Sequence, residues 1–597
     1  MPSCRGQELS AIAWAFATWQ VHDVPLMSAV VERTTSLASK LSCQDIANLG
    51  WAFAKLLAEG DELNDVMSAA VMQKLGRFTS RELASIAWAF ATQLYENQQV
   101  TRAIAEACSQ WTQEREVFGA QSLSNLFWSL TRLRMMEKIV LEKMADMTLP
   151  KIVEFSPQAL ANTAWSFGTL ATLGPSGASV MTAIGEVASP TLSGFSFQGL
   201  CNLAWSFATV AAVGSGFWDG LGKRLSEPEV LGDADLQLNQ VATLAWSFSS
   251  IGRPPPSALV HLLKQAMEQH QAVSDGVDVQ VDVEMILRSL HVLNIHGMLS
   301  SEILGLARSL LQQMAREKDS RSARSHVPPE AAGSFGKEEH PHVVIQNEQL
   351  CFLWKPKGWS MSVGKDREGS GDTTGSEQTL ETWIQDHFGD IFPIAKDADA
   401  QHGLLHRLDR DTSGLVAWAK TYDAYYEGRL QFSLQRVLKR YVCVCHGHVP
   451  TDLIGCFIRT SLRIIPAGPE GPKRCIPGGD SGLPSKTLVL DVTHFTSPDG
   501  AALSLVEVEL HSGRLHQIRV HLSSEGFPLL GDPLYGEGSV WCSRIFLHAA
   551  FLSLTVGLTL AHYCPLPADL KSVLLEMKPL SRLAKVAKEK WLDKRVS

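Results

Sequence analysis

No segment of this chain of 597 residues runs apolar for the roughly eighteen residues a bilayer span needs, so no membrane partner is expected. No CxxC pair with a distant partner occurs among the 11 cysteines, which argues against a zinc site and leaves no metal expected. Scattered as they are, the cysteines read as buried free thiols of a reducing compartment, with Cys443 and Cys445 on one face of a strand. A positive charge excess is missing too: 53 Lys+Arg stand against 62 Asp+Glu, a formal net charge of −9. Residues 343–597 hold 28 of each sign, so the deficit belongs to residues 1–342, and the second half retains room for a local cationic groove. The first twenty residues lack both the Arg/Ser-rich, acid-poor character of a transit peptide and the order of a secretory signal. Either the protein is not imported or its start lies upstream. Hydrophobic residues at 45% and charged residues at 19% describe a globular chain, long enough for several domains.

What is present first is a repeat. AWAF at Trp14 recurs in related form at Trp51, Trp88, Trp128, Trp165, Trp205 and Trp246, with spacings between 37 and 41 residues. Each copy has helical periodicity: Leu9, Ile12, Ala13 and Phe16 fall at i, i+3, i+4 and i+7, as do Leu83, Ile86, Ala87 and Phe90. A second apolar helix follows in most copies, so the expectation for residues 1–312 is an all-α solenoid of seven to eight helix pairs. Met285 to Leu293 would be a decayed eighth unit acting as a cap. The Trp and Phe side chains are expected to build core, with each Trp off the centre of its stripe and able to reach the next repeat.

These units, typified by Leu160 to Phe167 with Asn162, resemble the heptatricopeptide and octotricopeptide repeats of RNA-binding proteins in algal, plant and protist organelles. The resemblance implies RNA contact through variable polar positions on a concave face. It also implies a chloroplast or mitochondrial location, with the cytoplasm as alternative. The acidic balance suits a protein partner for the repeats instead. Residues 313–342 turn charged and Ser/Gly/Pro-rich, which reads as a flexible linker, and Lys365–Gln378 and Pro466–Pro484 read as surface loops.

The second half carries two motifs: His406-Arg407-Leu408-Asp409-Arg410-Asp411-Thr412-Ser413-Gly414-Leu415, and Gly513-Arg514-Leu515-His516-Gln517-Ile518-Arg519. With Leu438-Lys439-Arg440-Tyr441, Phe546-Leu547-His548-Ala549, a Trp354-Lys355-Pro356-Lys357-Gly358 entry and the Gly526–Gly536 segment, they resemble the RluA family of pseudouridine synthases over about 343–577. The resemblance implies an α/β domain with a mixed, largely antiparallel sheet flanked by helices, isomerising uridine to pseudouridine in RNA without a cofactor. Asp409 is then the catalytic carboxylate, Arg519 the cation beside it, and Tyr441 the ring that stacks on the flipped base. An ionised carboxylate in a drying pocket costs several kcal/mol unless a cation accompanies it, which is the physical need Arg519 meets. Arg407 would enter the space the base leaves, Leu547 would close the pocket, and His406, Arg514 and Gln517 are further substrate-binding candidates. Asp411, the competing acid, is expected to cap the turn into Thr412-Ser413-Gly414. Without the family pattern, Tyr441 would be an ordinary strand aromatic and Asp409 a surface ion pair. The rival reading is a non-catalytic RNA-binding or scaffold protein with an inactive synthase domain. Residues 578–597 form a basic tail, read either as a phosphate-touching helix or as a solvated one.

Overall fold

A computed structural model describes residues 4–593 except 57–60, 96, 111–117, 136–137, 171–173, 211–213, 233–235, 274–282, 322–337, 362–377, 467–472 and 480–481. The chain divides into two compact units: residues 1–248 with 255–262, and residues 249–254 with 263–597.

The first unit is a row of helix pairs. Its first helices are α1 (Gly6–Thr18), α3 (Cys43–Lys55), α5 (Ser80–Thr92), α7 (Ala120–Arg132), α9 (Pro157–Leu170) and α11 (Phe197–Val210). Between them lie α2 (Val24–Leu37), α4 (Asp61–Lys74), α6 (Gln98–Gln110), α8 (Lys138–Thr148) and α10 (Pro175–Ala188). Then follow α12 (Ser215–Leu225), α13 (Pro228–Leu231) and α14 (Leu238–Ser250). The starts are written in the sequence: Ser42 accepts from the Asp45 N–H and Thr79 from the Glu82 N–H, each in a capping box with that acid. Asp45 also accepts from Ser10 of the preceding repeat at 3.0 Å, tying cap to neighbour. Each first helix packs on the next first helix and each second on the next second, so every repeat buries its stripe against its neighbours.

The second unit opens with α15 (Ser257–Val273, its first residues counted with the other unit), α16 (Val283–Ile295) and α17 (Ser301–Arg321). α16, expected as a solenoid cap, packs on α19 (Tyr422–Ser433). The reason is polar complementarity. Arg429 of α19 pairs with Glu284, His291 Nδ1 meets the Ser433 carbonyl at 2.7 Å, and Asn294 donates to that of Leu434 at 3.2 Å. α17, also on α19, donates from Arg308 through both Nε and Nη2 to Glu427 at 3.0 and 3.2 Å. This helix continues the charged stretch after residue 313 as far as Arg321, where a linker was expected.

Beyond it lies the sheet: β1 (His342–Gln346), β2 (Leu350–Lys355), β3 (Ser413–Ala419), β4 (Leu438–His446), β5 (Phe457–Ile458), β6 (Leu462–Pro466), β7 (Lys473–Pro477), β8 (Thr487–Thr496), β9 (Ala502–Leu510), β10 (Leu547–Val556), β11 (Leu558–Tyr563) and β12 (Lys578–Pro579). Helices α18 (Leu380–Phe388), α20 (Gln517–Ser524), α21 (Ala568–Glu576) and α22 (Arg582–Leu592) complete the unit. The strand order is β1-β2-β3-β10-β4-β9-β8-β12, and among the described strands the β3–β10 pairing alone is parallel: a mixed, mostly antiparallel sheet. Gly414 makes that parallel pairing feasible. Its φ is +132°, and a Cβ there would lie 2.3 Å from the Ala549 carbonyl oxygen.

Two expectations change. Pro466–Pro484, read as a loop, contains β7, which pairs with β6 and buries Cys475; the flanking prolines and glycines conceal so short a strand. Lys365–Gln378 lies outside the described residues but for Gln378. The basic tail is neither free nor merely solvated: α22 buries Ala584, Ala587 and Trp591 in a core with Phe495, Phe546 and Leu574. Among the described residues no helix is long and apolar enough to cross a membrane.

Candidate active site

One cleft of about 1030 Å³ lies within the second unit, lined by His406, Arg407, Asp409, Tyr441, Arg514, Gln517, Arg519 and Leu547. Four segments far apart in sequence supply them. Asp409 sits on the loop before β3, Tyr441 on β4, Arg519 on α20 and Leu547 at the start of β10. Strand pairing sets their spacing: Tyr441 lies opposite Ala549, and Leu547 opposite Cys443.

The Asp409 loop is held by two cations the sequence did not single out for that work. Lys355, fully enclosed at the end of β2, donates to the carbonyls of Pro356, Arg410 and Thr412 at 3.1, 2.9 and 2.8 Å. Three carbonyls take all three ammonium protons. Burial pushes the Lys355 pKa down to about 7, against the pull of the Asp409 and Asp411 charges. Arg544 donates to the Asp411 carbonyl at 2.8 Å and to Ser413 Oγ at 3.0 Å, and is braced by Asp569 at 2.8 Å. The turn is therefore fastened through backbone and Ser413 rather than capped by the Asp411 carboxylate.

Arg519 faces two acids. Its Nε and Nη2 donate to Asp532 at 2.8 and 2.9 Å, while Nη1 stands 3.9 Å from Asp409 Oδ2. The Asp532 side chain is 0% exposed and that of Asp409 21%, so Asp532 anchors and Asp409 looks into the cleft. Burial works against the Arg519 charge, and the hydrogen bonds and charge of Asp532, with Asp409 adding, more than offset it and raise its pKa. Asp532 in turn is held below the ordinary carboxylate range: burial opposes this, and Arg519 together with the N–H groups of Leu534 and Tyr535 outweighs it. Below the guanidinium lies the Tyr535 ring, 5.1 Å away.

Tyr441 is buried, and burial with the nearby Asp409 charge drives its hydroxyl pKa upward. Leu547 is buried beside it, while Arg407 is exposed at the cleft. His406 has its Nε2 engaged by the Ala417 N–H at 3.0 Å and its ring stacked on Phe432. Burial lowers its pKa to about 3, which keeps it neutral. Gln517, expected to bind substrate, is instead saturated within the protein. Its carbonyl accepts from Ser512 and the Arg514 N–H, and its amide donates to Lys486 and Thr487. It shapes the loop that presents Arg514.

Arg514 lines the cleft with Lys439, whose pKa falls to about 8 through burial and the neighbouring Arg514 charge. Arg288 and His291 of α16 line it as well. Sequence reading passed over Lys355, Lys439, Asp532 and Arg544; each except Arg544 stood in a quoted motif, where a buried charge looks like a surface one.

The arrangement offers a carboxylate open to the cleft, a fixed guanidinium 3.9 Å from it, an aromatic ring and an apolar floor. That set suits a flat, uncharged ring presented to an acid.

Comparison with known proteins agrees with this chemistry. The family described as RNA pseudouridylate synthase matches residues 349–524. A second family, RNA-editing substrate-binding complex 6 protein, matches residues 5–252. An uncharacterized RNA pseudouridine synthase of Bacillus subtilis, YhcT, is 31% identical over 44% of this chain and 82% of its own. An uncharacterized RNA pseudouridine synthase of Chloroflexus aurantiacus is 35% identical over 31% of this chain and 56% of its own. The dual-specificity RNA pseudouridine synthase RluA of Vibrio parahaemolyticus is 34% identical over 35% of this chain and 76% of its own.

Proposed function

The chain belongs to the RNA pseudouridine synthases of the RluA type, and from that premise we propose that it isomerises uridine in RNA at Asp409, with its helical repeats positioning the transcript. The observation that carries this reading is the meeting of Asp409, Tyr441, Arg519 and Leu547 in one cleft. In the reaction the C1′–N1 bond breaks, the base turns and a C1′–C5 bond forms. C5 gives up a proton to water and N1 takes one up, so composition is unchanged and no co-reactant is consumed. Asp409 serves as nucleophile or base. Arg519, locked by Asp532, keeps a positive charge beside it without having to reorganise.

Uridine in folded RNA must leave its stack, at a cost of a few kcal/mol. Exposed Arg407 fills the vacated space, Tyr441 stacks on the extruded base and Leu547 supports it from below. Arg514 and Lys439 supply positive charge along the same wall. Transcriptome-wide pseudouridine mapping in cells with and without the protein tests the activity: sites that vanish with the protein support it, and an unchanged map contradicts it.

For the repeats we take RNA as the partner. A protein partner is the second reading, favoured by the excess of Asp and Glu in residues 1–342. We also place the protein in a chloroplast or mitochondrion, on the character of its repeats. Imaging of the tagged full chain tests that placement, and a cytoplasmic signal would overturn it.

A further inference from the structure

The repeat tryptophans are less deeply buried than the core residues beside them. Phe53, Phe90, Leu130, Phe167 and Phe207 are enclosed between helices, whereas the tryptophan two residues before each is only partly buried, and Trp14 is 50% exposed. The expectation that both aromatics build core therefore holds fully for these phenylalanines, while the tryptophans, which reach the next repeat as expected, are only partly buried.

Helix geometry says what shares their face. In α3, Gln44, Asn48, Trp51 and Lys55 follow one another at steps of four, three and four residues, the spacing of side chains stacked along one side. Across α1, α3, α5, α7, α9 and α11 these four places read Gln or Arg, then Asn, Ser or Ala, then Trp, then Thr, Lys or Arg. None of these residues is buried. No Asp or Glu occupies any of them and Lys55, Arg81 and Arg132 do, although residues 1–342 carry 25 Lys+Arg against 34 Asp+Glu. This acidic half of the chain thus keeps these helix positions free of acids, and they are the positions that flank its indoles.

The indoles are also arrayed. Trp14 and Trp51 lie with ring centroids 6.4 Å apart and planes 31° from parallel. Trp205 leans an edge on the neighbouring α9, where Gly168 leaves room: a Cβ there would come within 2.9 Å of the ring. Arg132 lies over Trp128 at 5.2 Å. Amides flank them, with Gln198 donating to Asn202 at 2.8 Å and Gln240 of the next repeat donating to Gln198 at 2.7 Å.

We propose that this row of tryptophan and amide side chains is a binding track for single-stranded RNA, in which bases stack on the partly exposed indoles and the Asn and Gln amides meet base edges. Indole faces stack on any base, amides both donate and accept, and three cations without a competing acid suit a phosphate backbone. The inference rests on the reading of the repeats as the RNA-positioning part and names how they grip.

The test uses the full chain and a labelled oligocytidylate, which offers no uridine to the synthase cleft, with binding followed by fluorescence anisotropy. Wild type should bind it more tightly than duplex RNA. Trp128→Ala with Trp165→Ala should weaken binding about a hundredfold, roughly tenfold for each stacked base. The paired Phe substitutions should restore most of the affinity, since a ring suffices. Should the Ala pair lower thermal stability, Asn125→Ala with Asn162→Ala tests the same track with the tryptophans intact and should weaken binding severalfold.

Binding unchanged in both pairs overturns the track while leaving RNA positioning by other repeat residues standing. Failure of wild type to bind oligocytidylate, with a protein partner held instead, overturns both. Uridine conversion measured on the same wild-type preparation reports separately on the synthase, so the loss of either reading is recognisable.

Discussion

Arg519 gives its two best-placed N–H groups, Nε and Nη2, to the buried carboxylate of Asp532 at 2.8 and 2.9 Å. The guanidinium that accompanies Asp409 is thus fixed by a different acid, and its reach toward the cleft is a by-product of that lock. Asp532→Asn should free Arg519 to swing, cutting kcat by about a hundredfold, and should destabilise the unit by about 3–5 kcal/mol, since a buried charge loses its partner. Steady-state kinetics with a denaturant titration read both effects.

Lys355 should make activity depend on pH. Its pKa is depressed to about 7, so the ammonium that clamps the Asp409 loop is present below that pH and loses its proton above it. Turnover should therefore fall on the alkaline side. Asp411 is exposed and its charge raises the Lys355 pKa, so Asp411→Asn should move the alkaline limb to lower pH. A pH–rate profile of the variant that overlays wild type would separate Lys355 from the limb.

Tyr441 combines a ring and a hydroxyl beside Asp409. Tyr441→Phe keeps the ring and should leave RNA affinity near wild type while lowering kcat by about 10²-fold or more, the scale of a proton-transfer group. Tyr441→Ala should lose both. Equal Kd for all three proteins would dissociate the ring from base stacking.

Trp591 anchors the basic terminal helix. Trp591→Ala empties a fully buried site in the core with Phe495 and Phe546 and should cost about 3–5 kcal/mol, read from a shift in the denaturation midpoint.

Much of this was legible in the chain. The recurring tryptophan gave the repeat length, and the motifs around Asp409, Tyr441, Arg519 and Leu547 named the residues that one cleft gathers. The rest was hidden for physical reasons. A lysine in Trp-Lys-Pro-Lys-Gly gives no sign that three carbonyls will enclose it, and Gln517 looks like a ligand until its four partners are seen. β7 is five residues between prolines and glycines, too short for alternation to register. Helical periodicity places Trp51 beside the buried stripe of α3, and only the packing of neighbouring helices decides that it stays partly exposed.

The most direct measurement is tritium release from RNA carrying 5-³H-uridine, comparing wild type with Asp409→Ala. Wild type should release tritium as C5 exchanges its proton for the glycosidic bond, and the variant, folded by circular dichroism and still binding RNA, should release none above background. Release by Asp409→Ala at a rate near wild type would contradict the assignment of the reaction to this carboxylate.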